Sequence, residues 1–339
     1  MFVGVVHGMA PLVTRQLDGA EGIRVTETGF DGRSDLLFLD VGRGRRDSVW
    51  SLRTIEDVFI EVDRTAVSPA DRPRSVAERL WRPDHVERAL SVWSAAVRPL
   101  SRAMTYRVVA RVLQERTFLR TDLRRAMTDA IAADRPKWRV ADPAQVEIWV
   151  SEYQPGQVVA GLRLSDARMR QHDGRAAERS GALRPTVAAM MVSLAGQHAG
   201  TLLDPCCGAG TILREATASG WPQVRGGDID PDAVAIARRN VPSARIDQRD
   251  VRHLDLADAS VSAVVSNLPF GRQYEVQESM RDWLADVLSE MARVTRRGGR
   301  LVLLAPSIPA DATPPAIRQV SRDATRLLGI RTALWVYER

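Results

Sequence analysis

Cysteine is nearly absent from this 339-residue chain: there are two, Cys206 and Cys207, side by side. No spaced pair exists for a structural disulfide or a multi-cysteine zinc site, so a reducing, cytoplasmic compartment is expected and no metal is. Lysine is scarcer still, since Lys137 is the single one among 48 basic residues. Long apolar runs are missing too. No stretch approaches the roughly 20 uncharged apolar residues of a membrane helix. Residues 1–12 are apolar but interrupted by His7 and Gly8, without a basic leader or a small-residue cleavage site. A soluble, unprocessed protein with no membrane partner is expected.

What is present is 45% hydrophobic and 27% charged, the composition of a globular chain long enough for two or three domains. The net charge of +6, carried by arginine, favours a polyanionic partner, because guanidinium groups bind phosphate in a bidentate way and stack on bases. A compositional preference for arginine explains the same balance equally well.

Two patterns divide the chain. Residues 1–65 read as a small α+β unit: strands at 2–6, 23–28, 36–41 and 57–62, with helices at 10–17 and 48–54. Pro69 and Pro73 mark 68–76 as a linker. A second α+β module follows to residue 166, with helices at 83–100 and 121–131 and strands at 106–112, 146–150 and 158–164. Its second helix places Arg120, Arg124 and Arg125 close together, as phosphate contacts or as an ordinary solvated face. Beyond residue 200 the rhythm becomes apolar strand, glycine turn, helix. Strands at 202–203, 224–226, 244–246, 261–265 and 300–305 alternate with helices at 211–218, 231–240 and 279–294. This is the pattern of a doubly wound, largely parallel sheet. The last strands, 320–327 and 332–337, lack a helix between them and predict an antiparallel hairpin.

The chemistry concentrates in that third part. Asp204-Pro205-Cys206-Cys207-Gly208-Ala209-Gly210 is a glycine turn between strand and helix, which presents backbone amides at a helix start. A dinucleotide fingerprint needs a third glycine where Leu213 stands. In methyltransferases such a loop holds the amino-acid end of S-adenosylmethionine, with Asp204 facing its ammonium group and Cys206 meeting it through the backbone. Asp228 ends the next strand where a ribose diol would lie, with Ile229 against the adenine, while Asp230 before Pro231 caps a helix. Asp250 and Val251 follow the third strand as candidate adenine contacts. The fourth strand ends in Asn267-Leu268-Pro269-Phe270. An exocyclic amine on a base has a delocalised lone pair and attacks a methyl sulfonium poorly unless acceptors hold its hydrogens. The Asn267 side-chain oxygen and the Leu268 carbonyl can serve, Pro269 stiffens the turn, and Phe270 can stack on the base. An ordinary Asn-Leu-Pro turn explains the tetrapeptide taken alone. His172, His198 and His253 are not spaced as metal ligands.

On these residues, together with Leu183-Arg184-Pro185-Thr186 and Gly227-Asp228-Ile229-Asp230, the chain resembles the THUMP-containing RNA methyltransferases. The resemblance is strongest to the group that makes N2-methylguanosine at position 6 of tRNA. It implies three domains: a ferredoxin-like unit at 1–65, a THUMP-like RNA-binding domain at 66–166, and a Rossmann-like S-adenosylmethionine-dependent methyltransferase domain at 167–339. It implies that the N-terminal module holds the tRNA acceptor stem and 3′ end while the catalytic domain takes a guanine out of its stack. No obligate protein partner is evident in the sequence. Arg272 and the cluster Arg293, Arg296 and Arg297 are candidate phosphate contacts. Many amino-methyltransferases have proline where Leu268 stands; a backbone carbonyl is what the chemistry uses. Guanine at tRNA position 10, a ribosomal guanine, and a non-catalytic RNA-binding protein stay open as alternatives.

Overall fold

Apolar, largely buried strands from both ends of the N-terminal half join in one sheet. The computed structural model describes residues 1–339 apart from 19, 43–45, 114–117, 173–181, 197–198, 270–279 and 328. The chain divides into two units, Met1–Met169 and Arg170–Arg339.

The first unit contains β1 (Phe2–Val6), α1 (Ala10–Asp18), β2 (Ile23–Phe30), β3 (Ser34–Val41), α2 (Arg46–Trp50) and β4 (Asp57–Ala66). It continues with α3 (Pro73–Leu80), α4 (Pro83–Ala96), β5 (Thr105–Arg111), α5 (Arg120–Asp134), β6 (Arg139–Val140), β7 (Val146–Gln154) and β8 (Gln157–Arg163). The strands form one eight-stranded sheet in the order β2-β3-β1-β4-β8-β7-β5-β6. Phe2 lies opposite Phe38 on one side and Phe59 on the other, so the three rings share a face. Phe2 and Phe59 stack at 4.7 Å. The Arg64 and Arg111 guanidiniums lie over the Phe38 and Trp149 rings at 4.6 and 4.5 Å, and Arg111 is also paired with the buried Asp31.

The expected linker at 68–76 runs into a helix. Pro73 is not a break but the first residue of α3, where its missing N–H is no loss, and Val76, Ala77 and Leu80 bury a stripe at helical spacing.

After α6 (Ala167–Gln171), which straddles the division, the second unit follows the strand-turn-helix rhythm. Its elements are α7 (Pro185–Leu194), β9 (Thr201–Asp204), α8 (Thr211–Ala218), β10 (Gln223–Asp228), α9 (Pro231–Asn240), β11 (Arg245–Gln248), β12 (Val261–Asn267), α10 (Met280–Val294), β13 (Thr295–Ala305), β14 (Arg318–Leu327) and β15 (Ile330–Glu338). They make a seven-stranded sheet ordered β11-β10-β9-β12-β13-β15-β14. β9 through β13 are mutually parallel, and β15 runs antiparallel to both β13 and β14. The terminal hairpin is therefore present as expected, and the unit is a Rossmann-like methyltransferase fold. β9 is buried along its length, and β12 at all but two of its positions, as suits parallel strands covered on both faces. On one face α10 supplies Leu284, Val287, Leu288 and Met291 to a core shared with Leu203, Val264, Leu303 and Trp335.

Candidate active site

The sheet order reverses between β9 and β12: the chain leaves β9 for β10 and β11 on one side, then returns to place β12 on the other. At such a switch point the loops beyond the carboxyl ends of the strands diverge and leave a crevice. The residues singled out in the sequence stand at these carboxyl ends.

Asp204 closes β9 and is only 1% exposed. Ser266 Oγ donates to its Oδ1 at 2.7 Å, and the Cys206 amide donates to the same atom at 3.2 Å. Oδ2 has no hydrogen bond among the described residues. Burial pushes this carboxyl up to about 7, against the pull of the Ser266 and Cys206 hydrogen bonds, and the Asp228 charge adds to the rise.

Asp228 closes β10. Its Oδ2 accepts from the Gly208 amide at 2.8 Å and its Oδ1 from the Asp230 amide at 3.0 Å. Each oxygen keeps lone-pair capacity for a hydroxyl donor. Ile229 beside it is 58% exposed, a bare apolar side chain at the rim. Asp230 Oδ1 accepts from the Asp232 amide at 2.9 Å, the helix cap expected of it.

The glycine loop differs from expectation in one respect. The Cys206 and Gly208 amides, read as donors to a ligand, are engaged by Asp204 and Asp228, and the Cys207 amide donates to Gly227 O at 2.8 Å. Two carboxylates with little access to water need donors, and the loop supplies them. Its shape depends on Gly210, which caps α8 at φ 82°. Leu213, where a dinucleotide fold has glycine, packs so closely on β10 that a Cβ at Gly226 would lie 2.5 Å from its Cδ1.

Pro205 is buried in the turn, and burial pushes both neighbouring thiols, Cys206 and Cys207, well above the ordinary range, which leaves them unreactive. After β11, Asp250 is held by the Arg252 guanidinium, Nη2 to Oδ2 at 2.7 Å, which keeps its carboxyl below the ordinary value. Val251 packs into the core with Leu203 and Leu254.

Asn267 closes β12 in register with Leu304, and the Leu268 amide donates to Leu304 O at 3.1 Å. Asn267 Oδ1 is buried and has no hydrogen-bond partner among the described residues. A buried amide oxygen left without a donor costs on the order of 1–3 kcal/mol, so a polar ligand there gains what the free protein forgoes. Leu268 is buried and Pro269 half-buried. Phe270 and Arg272 lie outside the described residues, as does His198.

Ser266 is a site residue that no motif in the sequence pointed to. Its one signal was a hydroxyl at the end of the apolar run Ala263-Val264-Val265, and only the pairing of β12 with β9 brings it to Asp204. Arg293 is not a free phosphate ligand: it bonds Glu290, Asp258 and the carbonyls of Leu254 and Leu256. Arg296 and Arg297 sit at the start of β13, the opposite edge of the sheet from Asn267. His172 is a core residue, Nδ1 2.9 Å from Glu215 Oε1, and no cluster able to hold a metal occurs among the described residues.

Residues 172–311 match the UPF0020 family, an RMKL-like methyltransferase domain. A U6 snRNA (guanine-N(2))-methyltransferase, THUMPD2 of Bos taurus, is 37% identical over 139 residues, 38% of this chain and 27% of that protein. A tRNA (guanine(6)-N2)-methyltransferase of Thermus thermophilus is 26% identical over 258 residues, 71% of this chain and 74% of that one. The second unit therefore carries an RMKL-like methyltransferase domain, and the chain is similar to THUMP-containing guanine-N2 RNA methyltransferases. The match to the bovine relative spans about a quarter of that relative's length. The crystal structure of TrmN from Thermus thermophilus aligns with all of this chain and 98% of its own, with TM-score 0.78 and 22% identity, so the two share their fold.

The donor that this class of methyltransferase uses is S-adenosylmethionine, and the residues here fit it. Asp204 Oδ2 is unengaged among the described residues and suits an ammonium group. The Asp228 oxygens stand one strand away, and Ile229 offers an exposed apolar face.

Proposed function

We propose that this protein transfers a methyl group from S-adenosylmethionine to the exocyclic N2 amine of a guanosine in RNA, at position 6 of the tRNA acceptor stem. The observation that carries this reading is Asn267 Oδ1, a buried acceptor without a partner among the described residues, at the switch point two residues along β12 from the Val265 core. The guanine-N2 activity in the names of the bovine and Thermus relatives supports it.

Asp204 holds the donor's ammonium group, Asp228 its ribose, and Ile229, Asp250 and Val251 its adenine end, with the turn at Pro205, Cys206, Gly208 and Gly210 fixing the two carboxylates. When bound, the donor supplies an electrophilic methyl on a sulfonium. Asn267 Oδ1 and the Leu268 carbonyl accept hydrogen bonds from the two N2 hydrogens, which turns the amine lone pair toward that methyl, while Pro269 fixes the turn and Phe270 stacks on the base. No strong base is needed, because the nitrogen becomes acidic once alkylated. Within the first unit, 1–65 acts as a ferredoxin-like spacer and 66–166 as the THUMP-like domain that holds the acceptor stem and 3′ end. The exposed Arg120, Arg124 and Arg125 of α5 are suited to phosphates.

The test is transfer of labelled methyl to bulk unmodified tRNA, followed by nuclease digestion and nucleoside identification. N2-methylguanosine mapped to position 6 is expected, and Asn267→Ala should lower turnover about 10²–10³-fold while S-adenosylhomocysteine affinity stays within about threefold. Equal loss of both would remove Asn267 from its role. The higher identity to the bovine relative, a U6 snRNA enzyme by name, favours as a second reading the same reaction on another RNA, and tRNA position 10 is the remaining alternative. Mapping separates these, and cofactor binding without any transfer would leave an RNA-binding protein with a methyltransferase fold.

A further inference from the structure

The β14–β15 hairpin reaches past the catalytic edge of its sheet. Asn267 pairs with Leu304, and Leu304 with Leu334, so these three lie on one line across β12, β13 and β15. β13 ends at Ala305, opposite Ala333, yet β15 and β14 continue beyond that pair through Thr332, Arg331 and Ile330. With about 4.8 Å between strands and about 3.4 Å per residue, the Arg331 backbone stands roughly 14 Å from that of Asn267, beyond the edge where the base must enter.

This projecting tip is basic. Arg331 is directly opposite Arg326, and Arg322, further back on the same face, lies 4.9 Å over the Trp335 ring. All three are exposed and share one sheet face with Ala333 and Trp335, the face covered by α10. α10 is the helix that follows the Asn267 turn in the chain. None of the three has an acidic partner among the described residues, and Arg326 Nε instead donates to Gly329 O at 3.1 Å. The hairpin's own Asp323 pairs with Leu334 and so points to the other face. Two like charges directly across a strand pair destabilise a hairpin, so the arrangement calls for an anion that the free chain does not provide. Ile330 beside them is 47% exposed, a small apolar surface at the same tip.

We propose that the tip of this hairpin grips the phosphate backbone of the RNA a few nucleotides from the guanine held at Asn267, with Arg326 and Arg331 as the phosphate ligands. The inference rests on the methyl-transfer reading above and adds to it the surface that aligns the strand at the crevice. Guanidinium forks suit phosphate oxygens, and contacts of this kind fix register without reading sequence.

The experiment compares the intact protein, an Arg326→Gln/Arg331→Gln variant, and a charge-matched Arg245→Gln/Arg318→Gln control whose residues lie at the opposite edge of the sheet. Affinity for bulk unmodified tRNA is measured against salt concentration, with S-adenosylhomocysteine binding by calorimetry and methyl transfer at saturating tRNA alongside. The tip variant should bind tRNA about tenfold more weakly at 0.15 M salt, and the slope of log K against log salt should fall by about one for each phosphate that is no longer held. Its cofactor affinity and its turnover at saturation should be unchanged, and the control should follow the parent protein. A tip variant indistinguishable from the parent, or one matched by the control, overturns the proposal while leaving the methyl-transfer reading intact. A parent protein that binds cofactor but neither binds nor methylates RNA overturns both.

Discussion

Asp204 must be charged to hold an ammonium group, yet burial pushes its carboxyl up to about 7. Its folded value lies above the ordinary one, so in the free protein its ionisation lowers stability as pH rises from about 4 to about 7, with no further loss above that. Ligand affinity runs the other way. An ammonium group beside the carboxylate favours ionisation, so S-adenosylhomocysteine should bind more tightly as pH rises from about 6 to about 7.5 and level off above. Calorimetry across that range, in buffers of different ionisation enthalpy, should record proton release on the acid side, and Asp204→Asn should abolish it. Ser266 sets the position of this transition. Removing its hydroxyl with Ser266→Ala takes a 2.7 Å donor from a buried carboxylate, at about 1–3 kcal/mol, and should move the affinity midpoint to higher pH. Ser266→Thr, which keeps a hydroxyl, should hold the midpoint. An unmoved midpoint in both variants would mean that Asp204 does not bear the ammonium group.

At the scale of elements, the turn between β9 and α8 rests on Gly210, left-handed at φ 82° with Ala237 Cβ and Val241 Cγ2 both 3.3 Å from where a side chain would begin. Gly210→Ala should lower unfolding stability by about 1–2 kcal/mol in a denaturant titration and weaken S-adenosylhomocysteine binding, since the same turn supplies the amides that hold Asp204 and Asp228. Unchanged cofactor affinity alongside the lost stability would detach the loop from the ligand. The signals of this turn were legible in the sequence, and α8 and α9 begin and end where glycine, proline and the cap residue Asp230 place them. The terminal hairpin was legible too, because a short glycine-containing turn, and no helix, separates the two strands. What could not be read depends on partners distant in sequence or on a residue with two meanings. Pro73 starts a helix as readily as it breaks one, and only the buried stripe of α3 decides. The bond from Ser266 to Asp204 joins residues 62 apart through strand order, which no local pattern encodes. The loop amides were read correctly as donors, but their acceptors are the protein's own carboxylates, because burying Asp204 creates that need before any ligand arrives.

At the scale of the whole molecule, every candidate cofactor and acceptor residue lies in Arg170–Arg339, while Met1–Met169 is built around a separate aromatic cluster of Phe2, Phe38, Phe59 and Trp149. A domain with its own core can fold alone. Residues 170–339 produced by themselves should therefore unfold cooperatively and bind S-adenosylhomocysteine within about threefold of the full chain. RNA binding should divide differently. If the first unit holds the acceptor end while the hairpin tip and Asn267 engage the strand at the crevice, the two contacts act as linked modules, and separating them should weaken tRNA binding by about 10²-fold or more. The loss should fall on KM for tRNA and spare turnover at saturation, because the groups that touch the amine are intact in the fragment. Steady-state kinetics of the fragment against bulk unmodified tRNA decides the matter. An unchanged KM would place all RNA recognition in the second unit and leave the first without the holding role proposed for it, whereas a fall in turnover at saturation would mean that the first unit also shapes the crevice.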